Sequence, residues 1–341
     1  MKIGIVGYPG VGKSTLFEWL TQTASDPSLA HLGQSAVVPI PDPRLDRLRQ
    51  IYQPKKVTQA GIELVDTPAL SRDHQGLAAR LAMIREAGCL VVVVPAFNSG
   101  DPVSELRQFE EDLLLADLEI VMGRIERVQQ SLAKPRPNRE ELEKELQTLQ
   151  QVQAALEAGQ YLHQLGLTAE QRRTIRSFQL FSEKPRMVII NLADDEPQPE
   201  RFRNLGLDIP VEPISVRLQW QLDRLPPEER QAFCQEMGVS LVDRGAILRQ
   251  ILRTSGQILF FTAGEKEVRS WMVRQGATAV EAAAAIHTDL AQGFVRAEVF
   301  HCEDIFRLGS ERELKAHHLI RREPKDYVVQ DGDVIFIHHH S

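Results

Sequence analysis

The sequence predicts an α/β protein with three parts: a parallel sheet flanked by helices, an inserted α-helical coiled-coil hairpin, and a small C-terminal β-grasp domain. Short, continuously apolar runs alternate with helical patterns, which is typical of buried parallel strands. A stretch rich in Leu, Glu, Gln and Arg interrupts them between residues 104 and 181. After residue 257, two strands, a helix and further strands can be read in the 341-residue chain. The predicted strands of the parallel sheet are residues 2–6, 61–66, 89–95, 187–191 and 209–214, with helices at 15–23 and 76–86 among them.

Composition excludes several classes of protein. The net charge is −7 and the pI is near 5.9, which gives no bulk attraction to DNA or to an anionic membrane. Cys89, Cys234 and Cys302 are too scattered for a disulfide framework or a zinc site, so we expect reduced thiols. No signal peptide fits at Met1, and no apolar run approaches the roughly 20 residues of a membrane span. We therefore expect a soluble, cytoplasmic protein.

The first predicted strand leads into a glycine-rich loop, GYPGVGKSTLF, at residues 7–17. Its Gly-x-x-x-x-Gly-Lys-Ser pattern predicts a P-loop, in which backbone N–H groups and a helix N-terminus face a phosphate. We expect Lys13 to reach the β- and γ-phosphates and Ser14 to ligate Mg²⁺. A plain glycine-rich turn is the alternative. The nucleotide-binding residues predicted in the loop are Tyr8, Pro9, Gly10, Val11, Gly12, Lys13, Ser14 and Thr15.

The strand GIELVD, residues 61–66, ends with an aspartate. The carboxyl ends of parallel strands lie at the same edge of a sheet. Asp66 is therefore expected beside the P-loop, which follows the carboxyl end of the first strand. There it would hold Mg²⁺ together with Ser14, directly or through water. The alternative is an aspartate that only shapes a turn.

The strand MVIIN is followed by the pattern N-x-x-D, formed by Asn191 and Asp194. In many nucleotide switches such an aspartate accepts two hydrogen bonds from guanine, and the asparagine braces the loop. Leu192 stands where those proteins carry a lysine along the base, which leaves ATP and GTP both open. Ser215, after the next strand, is expected to add a backbone contact to the base. A simple Asn/Asp turn cap is the alternative.

The inserted stretch predicts two helices, at 104–132 and 139–159, about a Pro-rich breaker at 134–138. Apolar residues recur every three or four positions, so the two helices are expected to bury each other as a hairpin. A coiled-coil arm is favoured over a bundle that packs only on itself. The stripe in the second helix is Leu142, Leu146, Leu149, Val152, Ala155 and Leu156.

The C-terminal segment predicts strands at 258–263, 268–274 and 294–300, a helix at 276–293, and two short strands about Asp331-Gly332. His287 is expected to be a turn or core residue, and His338–His340 are not expected to bind metal. Four basic residues either form an RNA-binding face or are ordinary solvated charges: Lys266, Arg269, Arg274 and Arg296. The predicted domains are residues 1–103 and 185–256 for the nucleotide-binding domain, 104–184 for the arm, and 257–341 for the β-grasp domain.

Several stretches together resemble the YchF-type Obg-like ATPases, a branch of the translation-factor-related P-loop NTPases. The resemblance spans nearly the whole chain in order. The stretches that carry it are GYPGVGKSTLF, VVPIPDPRLDRL, VDTPAL, LLLADLEIV, FFTAGEKEVRSW, GATAVEAAAAIHTDLAQGFVRAEV and DYVVQDGDVIF.

This resemblance implies a G domain, an inserted coiled-coil arm and a C-terminal TGS domain with a β-grasp fold. It also implies ATP preferred over GTP, slow hydrolysis, and association with the ribosome or ribosomal RNA through the arm and the TGS domain. Lys13 matches the phosphate-loop lysine, Asp66 the magnesium-side aspartate and Asn191 the base-loop asparagine. Leu70 matches the hydrophobic residue that this branch carries where Ras-like switches place a catalytic glutamine.

The chain also departs from the family pattern. Asp194 replaces a glutamate of the base loop, and Ala30 stands where switch I carries a threonine, with Ser28 nearby. Ala69 replaces the switch II glycine, and a glycine-rich stretch is shortened to SRDHQGLAAR at 71–80. These changes predict a divergent member that binds nucleotide but switches or hydrolyses poorly. A slow translation-associated ATPase is favoured over a nucleotide-binding adaptor, and a small-molecule P-loop kinase is the weakest alternative.

Overall fold

The computed structural model describes residues 1–71, 77–98, 100–135 and 137–340. The chain forms two compact units, unit 1 of residues 1–36 and 64–242 and unit 2 of residues 37–63 and 243–341. The strands are β1 Lys2–Val6, β2 Gln34–Pro39, β3 Lys56–Thr58, β4 Gly61–Asp66, β5 Cys89–Pro95, β6 Arg186–Asn191, β7 Val211–Ile214, β8 Gln257–Ala263, β9 Glu267–Arg274, β10 Phe294–His301, β11 Arg321–Glu323 and β12 Asp333–His339. The helices are α1 Lys13–Thr21, α2 Pro43–Tyr52, α3 Leu77–Arg85, α4 Pro102–Leu132, α5 Arg139–Glu157, α6 Ala169–Ile175, α7 Val216–Leu222, α8 Pro227–Met237, α9 Arg244–Thr254, α10 Ala279–Ile286, α11 Thr288–Gln292, α12 Cys302–Leu308 and α13 Glu311–Ala316.

The first sheet has six strands in the order β2-β4-β1-β5-β6-β7. The pairs β1/β5, β5/β6 and β6/β7 are parallel, as the continuous apolar runs predicted. Every residue of β5 is buried, because helices cover both faces of such a sheet. The carboxyl ends of β1, β5, β6 and β7 therefore lie along one edge, which is where ligands bind in open α/β sheets.

The inserted segment forms the predicted helical hairpin. Asp101 caps α4 by accepting hydrogen bonds from the backbone N–H groups of Val103 and Ser104, and Pro102 occupies the first turn, so α4 begins two residues earlier than predicted. All six residues of the predicted stripe lie in or against the core between α4 and α5. The sequence analysis missed α6 and the turn at Leu162–Leu165, which add Leu162, Leu167 and Ile175 to the same core. The coiled-coil character of the arm stays a prediction.

A buried carboxylate joins α4 to the sheet. Asp117 is 0% exposed, and its Oδ1 accepts hydrogen bonds from Arg85 Nη1 at 2.7 Å and from the backbone N–H of Phe181 at 3.0 Å. Its Oδ2 accepts from the backbone N–H and the hydroxyl of Ser182, both at 2.8 Å. The guanidinium of Arg85 also lies 4.0 Å above the Phe181 ring. This network fixes the middle of α4 against the segment that leads back into β6.

Unit 2 contains a mixed sheet in the order β11-β10-β12-β8-β9-β3. Strands β8 and β12 pair in parallel, while β8/β9, β10/β12 and β10/β11 are antiparallel, the arrangement expected of a β-grasp domain. Small residues of α10, Ala279, Ala282 and Ala283, pack in the core on one face of this sheet.

Two predictions in unit 2 are wrong in detail. The single helix predicted at 276–293 is broken at His287, whose Nδ1 accepts a hydrogen bond from the backbone N–H of Asp289 at 3.2 Å and caps α11. The first of the two strands predicted about Asp331-Gly332 is absent from the described chain, where only a single bridge joins Val328 to Thr278. The sequence analysis also missed α2 and β3, and β3 pairs with β9.

Two further expectations concern the whole described chain. Of the helices in residues 1–71, 77–98, 100–135 and 137–340, none is long and apolar enough to cross a membrane. All three cysteines lie in these ranges and are free thiols. Burial raises the pKa of Cys89 to about 12, so this thiol stays protonated and acts as a small apolar group.

Candidate functional site

The loop after β1 needs its glycines for both conformation and space. Gly10 and Gly12 have φ angles of 77° and 100°, in the region that favours glycine. A Cβ on Gly12 would lie 2.4 Å from Asn191 Nδ2, and one on Gly7 would lie 2.7 Å from the carbonyl oxygen of Val93. Gly12 is also the N-cap of α1, so the loop and the helix N-terminus form one turn. This is the geometry that turns successive N–H groups toward an anion.

Lys13 begins α1 and folds back over the loop. Its side chain is buried, with 7% of the residue exposed, and its Nζ donates a hydrogen bond to the carbonyl oxygen of Tyr8 at 3.2 Å. Burial lowers the pKa of Lys13, and the nearby charge of Asp66 opposes that shift. A buried ammonium ion at a helix N-terminus favours binding of an anion such as a phosphate.

Ser14 and Asp66 meet as predicted. The Ser14 hydroxyl donates a hydrogen bond of 2.6 Å to Asp66 Oδ2. Asp66 Oδ1 is buried and has no hydrogen-bond partner among the described residues. Burial raises the pKa of Asp66, while the bond from Ser14 and the charge of Lys13 lower it. Hydroxyl and carboxylate oxygens are ligands that Mg²⁺ prefers, so this pair fits a magnesium ion.

The residues after Asp66 lie against the phosphate loop. The backbone N–H of Leu70 donates to the carbonyl oxygen of Gly7 at 3.1 Å, and the Thr67 hydroxyl donates to that of Ile5 at 2.7 Å. The side chain of Leu70 is in the core, with 3% of the residue exposed, so it cannot hold a water molecule. Ala69 beside it is half-buried. Half of the predicted stretch SRDHQGLAAR, residues 72–76, lies outside the described residues.

Asn191 links the phosphate loop to α7. Its Nδ2 donates to the carbonyl oxygen of Val11 at 2.9 Å, and its Oδ1 accepts from the backbone N–H of Val216 at 3.1 Å. This is the bracing geometry expected of the base-loop asparagine. The side chain of Leu192 is buried in the core, which leaves only its backbone for contact with a base.

Asp194 and Ser215 lie at the neighbouring loop. The Asp194 carboxylate is exposed, with Arg217 Nε 4.0 Å from its Oδ2. The Ser215 hydroxyl donates to the carbonyl oxygen of Ala193 at 2.9 Å, which ties the ends of β6 and β7 together. The structure thus brings an exposed carboxylate to the edge where the predicted base would lie.

The other predicted loop residues divide into backbone and side-chain roles. The Tyr8 hydroxyl donates to Asp112 Oδ2 at 2.5 Å, and its ring packs edge-on against Phe109 at 5.3 Å, so this ring is committed to α4. Val11 is buried under the loop. Pro9 is exposed and Thr15 is half-buried at the start of α1.

The segment that follows α1 is held by a network that the sequence analysis missed. Glu18 Oε1 accepts hydrogen bonds from the backbone N–H of Ser25 at 2.9 Å and from its hydroxyl at 2.6 Å. Glu18 Oε2 accepts from Trp220 Nε1 at 2.6 Å, which joins α1 to α7. Ser28 and Ala30 lie exposed in and after the next short turn. Glu18 and Trp220 are too far apart in sequence for any local pattern to reveal this contact.

Comparisons with known proteins agree across the chain. Residues 2–122 match a family model described as a 50S ribosome-binding GTPase, and residues 257–340 match the YchF GTPase C-terminal family, described as a protein of unknown function. The "Ribosome-binding ATPase YchF" of Haemophilus influenzae is 34% identical over 98% of each chain. "Obg-like ATPase 1" of Oryza sativa subsp. japonica is 33% identical over 98% of this chain and 91% of its own. The solved structure of the Schizosaccharomyces pombe YchF GTPase matches with a TM-score of 0.84 and 26% identity, over 99% of this chain and 97% of that one.

Proposed function

Because this chain belongs to the YchF family of P-loop NTPases, we propose that it binds a nucleoside triphosphate, ATP or GTP, with Mg²⁺ and hydrolyses it slowly to the diphosphate. The observation that supports this best is the grouping of Lys13, Ser14 and Asp66 at one strand edge, with a buried Asp66 oxygen that lacks a partner. Burial disfavours the charged forms of both Lys13 and Asp66, and a bound phosphate and a cation would stabilise them.

Each residue has a distinct role in this proposal. The N–H groups of the loop bind the phosphates, and Lys13 donates to their oxygens. Ser14 and Asp66 are the residues that would hold Mg²⁺, which when bound neutralises charge on the phosphates. Asn191 fixes the loop relative to α7, because it bonds to both Val11 and Val216.

Slow hydrolysis follows from the side chains near the expected γ-phosphate. Leu70 is hydrocarbon and buried, and Ala30 and Ala69 have no side-chain hydrogen-bonding group. None of these three side chains can orient an attacking water. We infer that hydrolysis depends on a group from elsewhere, such as a macromolecular partner.

The ribosome is the partner class we propose, since relatives are named ribosome-binding ATPases. The predicted division supplies the surfaces: a G domain of residues 1–103 and 185–256, a coiled-coil arm of 104–184, and a TGS domain of 257–341. A cytoplasmic location goes with this proposal. In this scheme the nucleotide state switches the affinity of the chain for the ribosome.

A nucleotide-binding adaptor with little turnover is the second candidate. Ala30 and Ala69 favour it, because they replace switch residues whose contacts distinguish a triphosphate from a diphosphate. A switch must bind the two states with different affinities, whereas an adaptor need not.

Calorimetric titration with ATP, ADP, GTP and GDP in magnesium separates the two candidates. A triphosphate that binds clearly better than its diphosphate supports the switch, and equal affinities support the adaptor. No binding of any of the four would contradict both. Turnover, measured as phosphate release, tests hydrolysis directly.

The same titration decides the base. We expect Asp194→Glu, which restores the family residue, to shift preference toward ATP. Arg217→Gln is the matched control, because it changes the exposed neighbour of Asp194 and leaves the carboxylate in place. An unchanged ratio of ATP to GTP affinity in Asp194→Glu would remove this residue from the base site.

A further inference from the structure

Unit 2 has an uncovered area on the face of its sheet that is opposite α10. Ile335 and Ile337 of β12 pack in the core with α10, so Phe336 and His338 point to the other face. Arg296 pairs with His338 in register, and Glu298 pairs with Phe336. Residues directly opposite in a ladder share a face. These four side chains therefore lie together on β10 and β12.

Helices cover only the other end of this face. Val334 of β12 pairs with Phe261 of β8, and both are buried. Arg44 of α2 lies 5.2 Å from the Phe261 ring centroid, and α12 contacts β10. Farther along β12 the cover ends, and Phe336 is 62% exposed. A large aromatic ring exposed in the middle of a strand is a feature that points to a binding surface.

The surroundings of this ring are polar and basic. His338 packs edge-on against Phe336 with ring centroids 5.0 Å apart. Arg322 of β11 pairs with Glu298 in register, and its side chain is 73% exposed. Arg296 Nε is buried and has no hydrogen-bond partner among the described residues. Glu298 Oε1 lies 3.3 Å from His338 Nε2 and 3.9 Å from Arg322 Nε.

The basic face predicted from the sequence is different. Arg269 shares a strand face with Trp271, which packs on the α10 side, whereas Arg296 lies on the opposite face. Arg274 is paired with Glu281 of α10 at 2.8 Å. Lys266, Arg269, Arg274 and Arg296 therefore do not form one face, and Arg296 is grouped with Arg322 instead.

We propose that Phe336, His338, Arg296, Arg322 and Glu298 form a binding surface for single-stranded RNA. This rests on the proposed ribosome association and specifies one contact within it. An open sheet face with an exposed aromatic ring stacks unpaired bases, and flanking arginines bind phosphates. Glu298 lies beside the ring, where a carboxylate accepts hydrogen bonds from amino groups on a base edge. Plain apolar docking of a protein would need neither the arginines nor the carboxylate.

The test uses the full chain and a fluorescein-labelled single-stranded RNA of mixed sequence, followed by fluorescence anisotropy. We expect Phe336→Ala to weaken binding about tenfold, the value of one lost stacking contact. Phe336→Trp retains the ring and should bind as tightly as the wild type, whereas Phe336→Leu should behave like Phe336→Ala.

Arg322→Gln should lower the slope of log K against log salt by about 0.7, which corresponds to one phosphate contact. Val328→Ala removes another exposed apolar side chain of unit 2 outside these strands and should change nothing.

Two results would overturn the inference. One is RNA affinity that Phe336→Ala and Arg322→Gln leave unchanged. The other is ribosome binding that Phe336→Leu retains and Phe336→Ala loses, which would assign the surface to a protein. Nucleotide titration of the same variants keeps the two proposals separate. Variants that lose RNA binding but bind nucleotide normally support this surface. A wild-type protein that binds no nucleotide would contradict the proposed function and would leave the RNA result unaffected.

Discussion

Two aspartates of unit 1, the buried Asp117 and the half-buried Asp66, differ in how completely their oxygens are bonded. Asp117 accepts four hydrogen bonds, from Arg85, Phe181 and twice from Ser182. Asp66 accepts one from Ser14, and its other oxygen has no partner among the described residues. Each aspartate also has a cation nearby, Arg85 at 2.7 Å from Asp117 and Lys13 in the surroundings of Asp66.

This is the difference we expect between a residue that stabilises the fold and one that binds a ligand. Buried polar groups in folded proteins are almost always hydrogen-bonded, because an unbonded one costs free energy. Asp117 follows this rule completely and has no capacity left for a ligand. Asp66 breaks it at the end of a strand that faces the phosphate loop, where the missing partner is expected to be a bound ion.

The largest effect is expected for Asp117→Ala. Removal of the carboxylate leaves the N–H groups of Phe181 and Ser182 without their acceptor. It also takes the counter-charge from Arg85, which keeps only its bonds to the carbonyl oxygens of Ala116 and Gln179. We expect the free energy of unfolding to fall by about 3–5 kcal/mol, measured by urea denaturation followed by circular dichroism. Asp194→Ala, which removes an exposed carboxylate, should change it by less than about 0.5 kcal/mol. Similar losses of unfolding free energy in Asp117→Ala and Asp194→Ala would show that the hydrogen bonds of Asp117 do not stabilise the fold.

Lys13→Ala is expected to act on binding rather than on stability. Loss of the ammonium group should weaken triphosphate binding about a hundredfold, the value of a strong charged hydrogen bond, by calorimetry. The nucleotide-free protein should be no less stable, since burial lowers the pKa of Lys13 and the fold disfavours its charge. The wild type should therefore gain stability as the pH rises through the folded pKa toward 10.5, and the variant should lack this gain.

Lys2→Ala is the control for that variant, because it removes an exposed lysine at the start of the same strand that leads to the loop. It should bind nucleotide as the wild type does. Undiminished affinity in Lys13→Ala would refute the P-loop assignment.

Asp66→Asn is expected to change the affinity for nucleotide less than Lys13→Ala does. It should raise the stability of the protein, whereas Asp117→Ala should lower it. Triphosphate binding in magnesium should weaken about tenfold and should depend less on magnesium than in the wild type, because Ser14 remains. The raised pKa of Asp66 means that the wild type loses stability as the pH rises from 3.8 through the folded pKa, so the variant should be the more stable protein at neutral pH. A variant that is less stable at neutral pH, like Asp117→Ala, would show that both aspartates serve the fold.

The sequence predicts what depends on neighbours along the chain. Lys13 and Ser14 were predicted as site residues because a P-loop is a local pattern, and Asp66 because strand direction places it at the same edge of the sheet. The continuous run of β5 identified the parallel sheet. The stripe from Leu142 to Leu156 identified the hairpin, since a 3.6-residue period needs no distant partner.

The rest depends on distant contacts. Asp117 looks like any polar residue of α4 until Arg85 and Ser182 are placed beside it, 32 and 65 residues away. Strand β3 is three residues long and exists through its pairing with β9. The apolar run of β12 predicts that Phe336 is buried in the core. It is exposed because the helices cover only the other end of its face of the sheet.

The pairing of β3 with β9 also bears on how the chain folds while it is being made. Val57 is in register with Val268, 211 positions later. At the usual rate of synthesis, β3 leaves the ribosome about 10–40 s before its partner exists. Strand β3 therefore cannot form its pairing with β9 until most of the chain has been translated. Unit 2 contains both an early and a late part of the polypeptide, so it completes its fold only near the end of its own synthesis.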